Sequence, residues 1–198
     1  MTVGIKNPGV TSAWNFNTDT VTANVTLYAK WTPLYTLRDT GPAGGLIFYV
    51  KEGGYSDGWM YLEAAPASTQ STGLEWGSYG TFIGATATAI GTGQDNTTKI
   101  VAWLNSHFEQ NCAAQFCDNL VVCSRVCYTD WFLPSKDELN QMYLNLKAEG
   151  AGGFDDLYFW SSSENNTHGA WGQFFFSGGN QYHDDKDFHL RVRAVRAF

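Results

Sequence analysis

The chain has 198 residues and a net charge of −7, with 43% apolar, 16% aromatic and 16% charged residues. That length suits one sizeable core plus a small appendage, and few charges with 21 glycines describe a loop-rich globular chain, not a disordered one. The acidic balance argues against a nucleic-acid partner, and no apolar run approaches the ~20 residues of a membrane-spanning helix.

The N-terminus lacks the basic-then-apolar layout of a signal peptide and reads as the middle of a domain, as in a segment of a longer exported protein. In "WNFNTDTVTANVTLYAKWTP" (14–33), Val21, Val25, Leu27 and Ala29 fall on odd positions, which is strand period, and Pro33 closes the run. Its "LYAKWT" ending resembles the end of the Listeria–Bacteroides repeat, an extracellular β module. About half a repeat is present, so residues 1–33 are expected to form a β remnant beside a main domain at 34–198. Any other β-hairpin has the same pattern.

"GPAGGLIFYV" and "WMYLEAAP" flank a Gly-rich turn, a hairpin by pattern, and residues 67–94 read as irregular loop. "DNTTKIVAWLNSHF" predicts a helix capped by Asp95 or Thr97, with Ile100, Val101, Leu104 and Phe108 on its apolar side. In "PSKDELNQMYLNL", Ser135 and Glu138 form a capping box. Leu139, Met142, Tyr143 and Leu146 make the apolar face, and Gly150, Gly152 and Gly153 end the helix. "YFWSSSE", "AWGQFFF" and "LRVRAVRAF" predict three strands, with Trp160, Phe175, Val192 and Val195 inward. Phe174 and Phe176 are expected outward, joined by Trp171 or Tyr182. The mix is α+β: two helices on a small, mainly antiparallel sheet with long loops.

Cys112, Cys117, Cys123 and Cys127 have the spacing C-x4-C-x5-C-x3-C, which matches no common zinc pattern. One or two local disulfides, buried reduced thiols, and a metal all remain open, and four cysteines allow three pairings.

"DWFLPSKDELNQMY", "FWSSSE", "AWGQFF" and "RVRAVRAF", in that order, resemble bacterial domains with the formylglycine-generating-enzyme type of C-type lectin fold; "GPAGGLIFYV" and "WMYLEAAP" fit the start of such domains. The resemblance covers residues 37–198 and implies the fold, not the function. The C-terminal region, about 159–198, further resembles the variable region of proteins diversified by retroelements, such as the Treponema variable protein. There, AAY codons become NNY codons, which cannot specify Lys, Glu, Gln, Met or Trp. Thr167, His168, Gly169, Gly172, Phe174, Phe176, Ser177, Tyr182, His183, Asp184, Asp185, Asp187, Phe188, His189 and Leu190 all belong to the NNY set. The excluded types, Trp171, Gln173, Gln181 and Lys186, sit where the family pattern has fixed residues, and Asn165, Asn166 and Asn180 are what an unmutated AAY leaves.

The resemblance implies a non-catalytic ligand-binding domain at a bacterial cell surface, an outer-membrane lipoprotein anchored through a segment outside this chain. It implies a protein or other macromolecular ligand, a monomer and no cofactor. A non-diversified adhesive or structural domain is the alternative. A metal site is another: on a straight strand His183, Asp185, Asp187 and His189 share one face, although Lys186 lies between them. The lectin-type calcium loops (Glu-Pro-Asn or Gln-Pro-Asp) are absent. Formylglycine chemistry needs a cysteine pair late in the domain, whereas no cysteine follows Cys127. Arg191, Arg193 and Arg196 are expected to pair with carboxylates, as ordinary surface ion pairs or as anchors of the last strand.

Overall fold

Aliphatic and aromatic residues in short runs bounded by glycine set the framework. The structure, a computed structural model, describes residues 4–5, 14–24, 28–29, 33–53, 58–176 and 178–198. The chain divides into two compact units, Met1–Leu34 and Tyr35–Phe198.

In the first unit, β1 (Gly4–Ile5) pairs antiparallel with β2 (Tyr28–Ala29). The strand expected through Val21 does not form there: Val21 is exposed and outside any strand. Val25 and Leu27 lie outside the described residues.

The second unit is α+β, with few helices on small antiparallel sheets. β3 (Leu46–Val50) and β4 (Tyr61–Ala64) form the expected hairpin, and β10 (Val195–Ala197) pairs with the other edge of β4. The chain end thus closes the sheet that the domain's start opens. The turn before β3 is more than a turn. Glu63 on β4 is fully buried and accepts N–H bonds from Ala43 (3.1 Å) and Gly45 (2.8 Å), with Arg196 beside it. Gly45 is required because a Cβ there would collide with the Ala64 carbonyl oxygen.

α1 (Gly93–Ser106) begins earlier than expected, at an N-cap, Thr92, that makes no side-chain cap bond. Asp95 lies in the first turn. Thr97 is buried, donating to the Gly93 carbonyl and accepting from Leu133 N–H, so it joins the helix to the neighbouring segment instead of capping it. α2 (Ala113–Asp118) occupies the cysteine-rich stretch, followed by the small hairpin of β5 (Val122–Cys123) and β6 (Cys127–Tyr128). Cys123 and Cys127 are disulfide-bonded, while Cys112 and Cys117 are buried thiols. α3 (Lys136–Met142) carries the expected capping box: Ser135 Oγ accepts from Glu138 N–H, and Glu138 Oε2 accepts from Ser135 N–H at 2.7 Å. A wider helical turn, Tyr143–Lys147, extends it.

β7 (Tyr158–Glu164), β8 (Gly169–Phe174) and β9 (Gln181–Asp185) form a second antiparallel sheet in that order, with β9 at the edge. "LRVRAVRAF" is not one strand. Leu190 pairs with Leu74 and Arg191 with Phe159 beside the second sheet, whereas Val195–Ala197 joins the first. The segment changes sheets, so one core, around Trp76, Trp160, Ile100 and Val192, lies against another, around Phe48, Leu139, Phe159, Phe175 and Val195.

The arginines of this segment are not ordinary surface pairs. Arg196 is buried between Asp130 and Glu63. Arg193 is buried and, among the described residues, has no carboxylate partner in hydrogen-bond reach. It donates to the carbonyls of Ala65, Gly152 and Gly153 and to Gln70 Oε1, and burial pushes its pKa down to about 10. Arg191 alone, paired with Asp155 at 3.1 Å, resembles the surface expectation.

Candidate functional site

Strand period two decides where the C-terminal side chains point. The register pairs Trp171 with His183, Gly172 with Tyr182 and Ala170 with Asp184, and on the other side Phe174 with Tyr158. Tyr158, Phe174 and Tyr182 therefore share one face, and Trp171, Gln173, Gln181 and His183 the other. On the first face Tyr158 stacks on Phe174 (centroids 4.5 Å apart), Tyr182 approaches Tyr158 edge-on (6.3 Å), and Phe176 joins Phe174 (5.7 Å). Phe176 is 51% and Tyr182 45% exposed. This is a contiguous, solvent-facing aromatic patch.

The opposite face is occupied by α3. Gln173 is fully buried and donates to Asn140 Oδ1 and the Gly179 carbonyl. Gln181 Nε2 donates to the Lys136 carbonyl, and Lys136 Nζ sits 3.6 Å from the centre of the Trp171 ring. Trp171 thus belongs to the helix-packed face and contacts His183 there, and Tyr182 is the residue that joins Phe174 and Phe176.

After Asp185 the strand ends in a turn in which the Asp185 carbonyl accepts from Phe188 N–H. Lys186 turns inward. Its side chain has 0% exposure and is ion-paired with the equally buried Glu164, and its Nζ donates to the Thr81 carbonyl at 2.7 Å. Glu164 also accepts from Ile83 and Gly84 N–H. Lys186's own backbone donates to the His168 carbonyl, and its carbonyl accepts from Trp76 and Gly77. Burial lowers the lysine's pKa, and Glu164 works against that shift. One inward residue thus ties the turn to three other segments.

The nominated residues fall into distinct places. Thr167, His168, Phe176, Tyr182, His183, Asp185, Asp187, Phe188 and His189 are exposed, and Phe174, Asp184 and Leu190 are half-buried. Ser177 lies outside the described residues. Gly169 and Gly172 are buried, and a Cβ on Gly172 would stand 3.0 Å from the Phe159 carbonyl oxygen. These two glycines are packing positions, not contact positions. The exposed residues do not gather on a single plane either. Edge-strand alternation sends Tyr182 and Asp184 one way and His183 and Asp185 the other, so the surface wraps around the β9 edge. His183, Asp185, Asp187 and His189 do not share a face, because the strand stops at Asp185. His189 lies instead near Glu75 (3.7 Å). Among the described residues no group of three or more His, Cys, Asp or Glu is placed to hold a metal ion.

No family model matches the chain, and no curated protein matches it. In fold it is similar to a fimbrial protein from Bacteroides ovatus ATCC 8483, known from a crystal structure, with a TM-score of 0.53 at 13% identity. The match covers 78% of this chain and 44% of the other, so the chain spans less than half of that protein's length. At such identity the likeness concerns fold alone. No helix among the described residues is long and apolar enough to cross a membrane.

Sequence reasoning missed two contributors. Tyr158 supplies the stacking partner of Phe174, and exposed Tyr79 lies edge-on to His168 at 5.0 Å. Tyr158 was legible as the first, outward residue of "YFWSSSE"; Tyr79, in an irregular loop, gave no pattern. Electrostatically the β9 edge is acidic, with Asp184, Asp185 and Asp187. Partial burial raises the pKa of Asp184 most, with the Asp185 charge adding to the shift and His183 opposing it. The thiols lie elsewhere. Burial pushes Cys112 up to about 11, helped by Glu109 and Glu75, and Cys117 well above its ordinary value.

Proposed function

We propose that the Tyr35–Phe198 unit is a non-catalytic ligand-binding domain with the C-type lectin fold of the formylglycine-generating-enzyme type, displayed on a bacterial surface and diversified by a retroelement at its exposed C-terminal residues. One observation carries the reading. Within 167–190, the residue types that NNY codons cannot encode are the ones built into the scaffold. Lys186 and Gln173 are fully buried and hydrogen-bonded, Gln181 is tied to α3 and Trp171 lies beneath Lys136. The nominated NNY residues that are described, Gly169 and Gly172 apart, are exposed or half-buried, while Ala170 and Phe175, NNY types outside the nominated set, are buried with the scaffold. A surface varied by codon randomisation needs this partition, because variation at a buried position costs several kcal/mol.

The aromatic patch with polar neighbours supplies the contact chemistry: rigid rings give area at low entropic cost, and His and Asp give adaptable polar contacts. The cysteines support a binding role over catalysis, since the two thiols are buried and held neutral and the other two are bonded to each other. The ligand is a protein or another macromolecule, bound without a cofactor, and the fimbrial neighbour supports display outside the cell.

The test is genetic. A second copy of the stretch encoding residues 159–198 should lie beside a reverse transcriptase gene, with AAC or AAT at the exposed positions. Reads of this stretch from one culture should vary there and stay constant at Trp171, Gln173, Gln181 and Lys186. An invariant stretch with no template copy refutes diversification. It leaves the second reading, a constant adhesive domain, which the fimbrial neighbour favours.

A further inference from the structure

β9 is an edge strand with an open hydrogen-bonding side. Phe174 N–H donates to the Asn180 carbonyl and Lys186 N–H to the His168 carbonyl. In the antiparallel register between them, Tyr182 and Asp184 turn their backbone groups toward β8. Gln181, His183 and Asp185 therefore turn theirs outward. The Asp185 carbonyl is taken by Phe188 N–H, whereas the His183 N–H and carbonyl have no partner among the described residues. The strand contains no proline, and its pairing with β8 has no register shift. It thus lacks two common devices by which natural proteins blunt an edge, and keeps a third, charge, as Asp184 and Asp185.

We infer that the β9 edge is a strand-addition site that takes an extended, basic, aromatic-bearing peptide segment of a partner protein. The side-chain pattern follows from the register. A partner residue bonded to both His183 backbone groups lies on the Trp171 side. Its two neighbours lie opposite Asp184 and Tyr182, on the side of the aromatic patch. In the antiparallel orientation the residue opposite Asp184 comes first, so the motif reads basic, any residue, aromatic. A second copy of this chain is a poor occupant, because each edge carries Asp184, Asp185 and the adjacent Asp187 on a protein of net charge −7. Backbone pairing supplies affinity that survives changes of side chain, and the side chains of Tyr182, His183 and Asp184 then supply selectivity. The inference rests on the ligand-binding reading but not on diversification, which the template copy tests separately.

The experiment titrates the full chain with a capped peptide of about seven residues, valine and threonine around an arginine-x-phenylalanine centre. Saturable binding is expected. N-methylation of the central residue should weaken it about tenfold or more by removing one backbone donor, and replacing arginine by glutamate should weaken it as well. On the protein side, His183→Pro removes the outward N–H and should abolish binding. Melting curves check that the variant folds. If His183→Pro does not fold, the N-methyl peptide on the unaltered protein decides. Absence of saturable binding, equal binding of the N-methyl peptide, or peptide-independent dimerisation lost in His183→Pro would overturn the inference.

Discussion

Lys186→Ala and Asp187→Ala alter adjacent residues, yet the structure assigns them opposite consequences. Lys186 is fully buried, and its removal leaves Glu164 with only the Ile83 and Gly84 N–H bonds, in a site where its side chain has 0% exposure. It also strips the Thr81 carbonyl of its Nζ donor and takes a cation from 4.8 Å above the Trp76 ring. Breaking one partner of a buried ion pair costs about 3–5 kcal/mol, because the remaining charge is uncompensated. Asp187 is exposed, and such changes stay within about 0.5 kcal/mol. For a domain of this size 3–5 kcal/mol is a fall in melting temperature of roughly 6–20 °C. Urea denaturation with a common slope gives the free energies, and calorimetry gives the temperatures. If Lys186→Ala lands within about 1 kcal/mol of Asp187→Ala, the buried pair is not what anchors the turn. The proposed separation of scaffold from variable surface then loses its strongest member.

Gly172→Ala should destabilise by about 1–3 kcal/mol, since its Cβ would press on the Phe159 carbonyl and against Leu190; a thermal melt that does not shift contradicts the packing assignment. Cys112 and Cys117 should resist iodoacetamide in the native state at pH 8 and react on unfolding, because burial keeps both protonated; mass spectrometry showing rapid native labelling of either refutes this. Burial raises the Glu138 pKa above its ordinary 4.5, so the native state keeps a proton that the unfolded chain releases, and this contribution falls as pH rises from 4.5 through the native value. Glu138→Gln should flatten the fall in urea midpoint over that window, and an unchanged slope would show that another group carries it.

How much of this was legible depended on whether a residue's partner lies nearby in sequence. The capping box of Ser135 and Glu138 is a local device, and it formed where the spacing put it. The hairpin of β3 and β4 follows from two apolar runs about a glycine-rich turn, whereas Val192 and Val195, three residues apart, are both inward because the segment changes sheets between them. α2 was hidden because "AAQFCD" is too short to show a helical period, and its capping box uses Cys112 and Gln115, an unusual pair. β9 was hidden for a related reason. "QYHDD" has neither β-branched residues nor an apolar alternation, and it is extended because β8 supplies its hydrogen bonds.

Lys186 shows where sequence reasoning stops. Read in line, it is a cation between Asp185 and Asp187, an obstacle to a metal site and little else. Its partner, Glu164, ends "YFWSSSE", and its other contacts are Thr81 and Trp76, so nothing local announces the pair. Yet a chain with so few cations that places one amid three carboxylates needs a reason, and burial supplies it. The same turn that buries Lys186 carries Asp187 and Phe188 outward on either side of the acidic edge. The anchor and the displayed residues are thus neighbours by necessity: a short segment can carry changeable side chains only if a fixed one at close spacing holds its backbone. On the proposed reading, that is why four residues outside the NNY set, Trp171, Gln173, Gln181 and Lys186, are interspersed through 167–190. It is also why the surface is best tested by pairs of adjacent substitutions rather than by a scan of exposed positions alone.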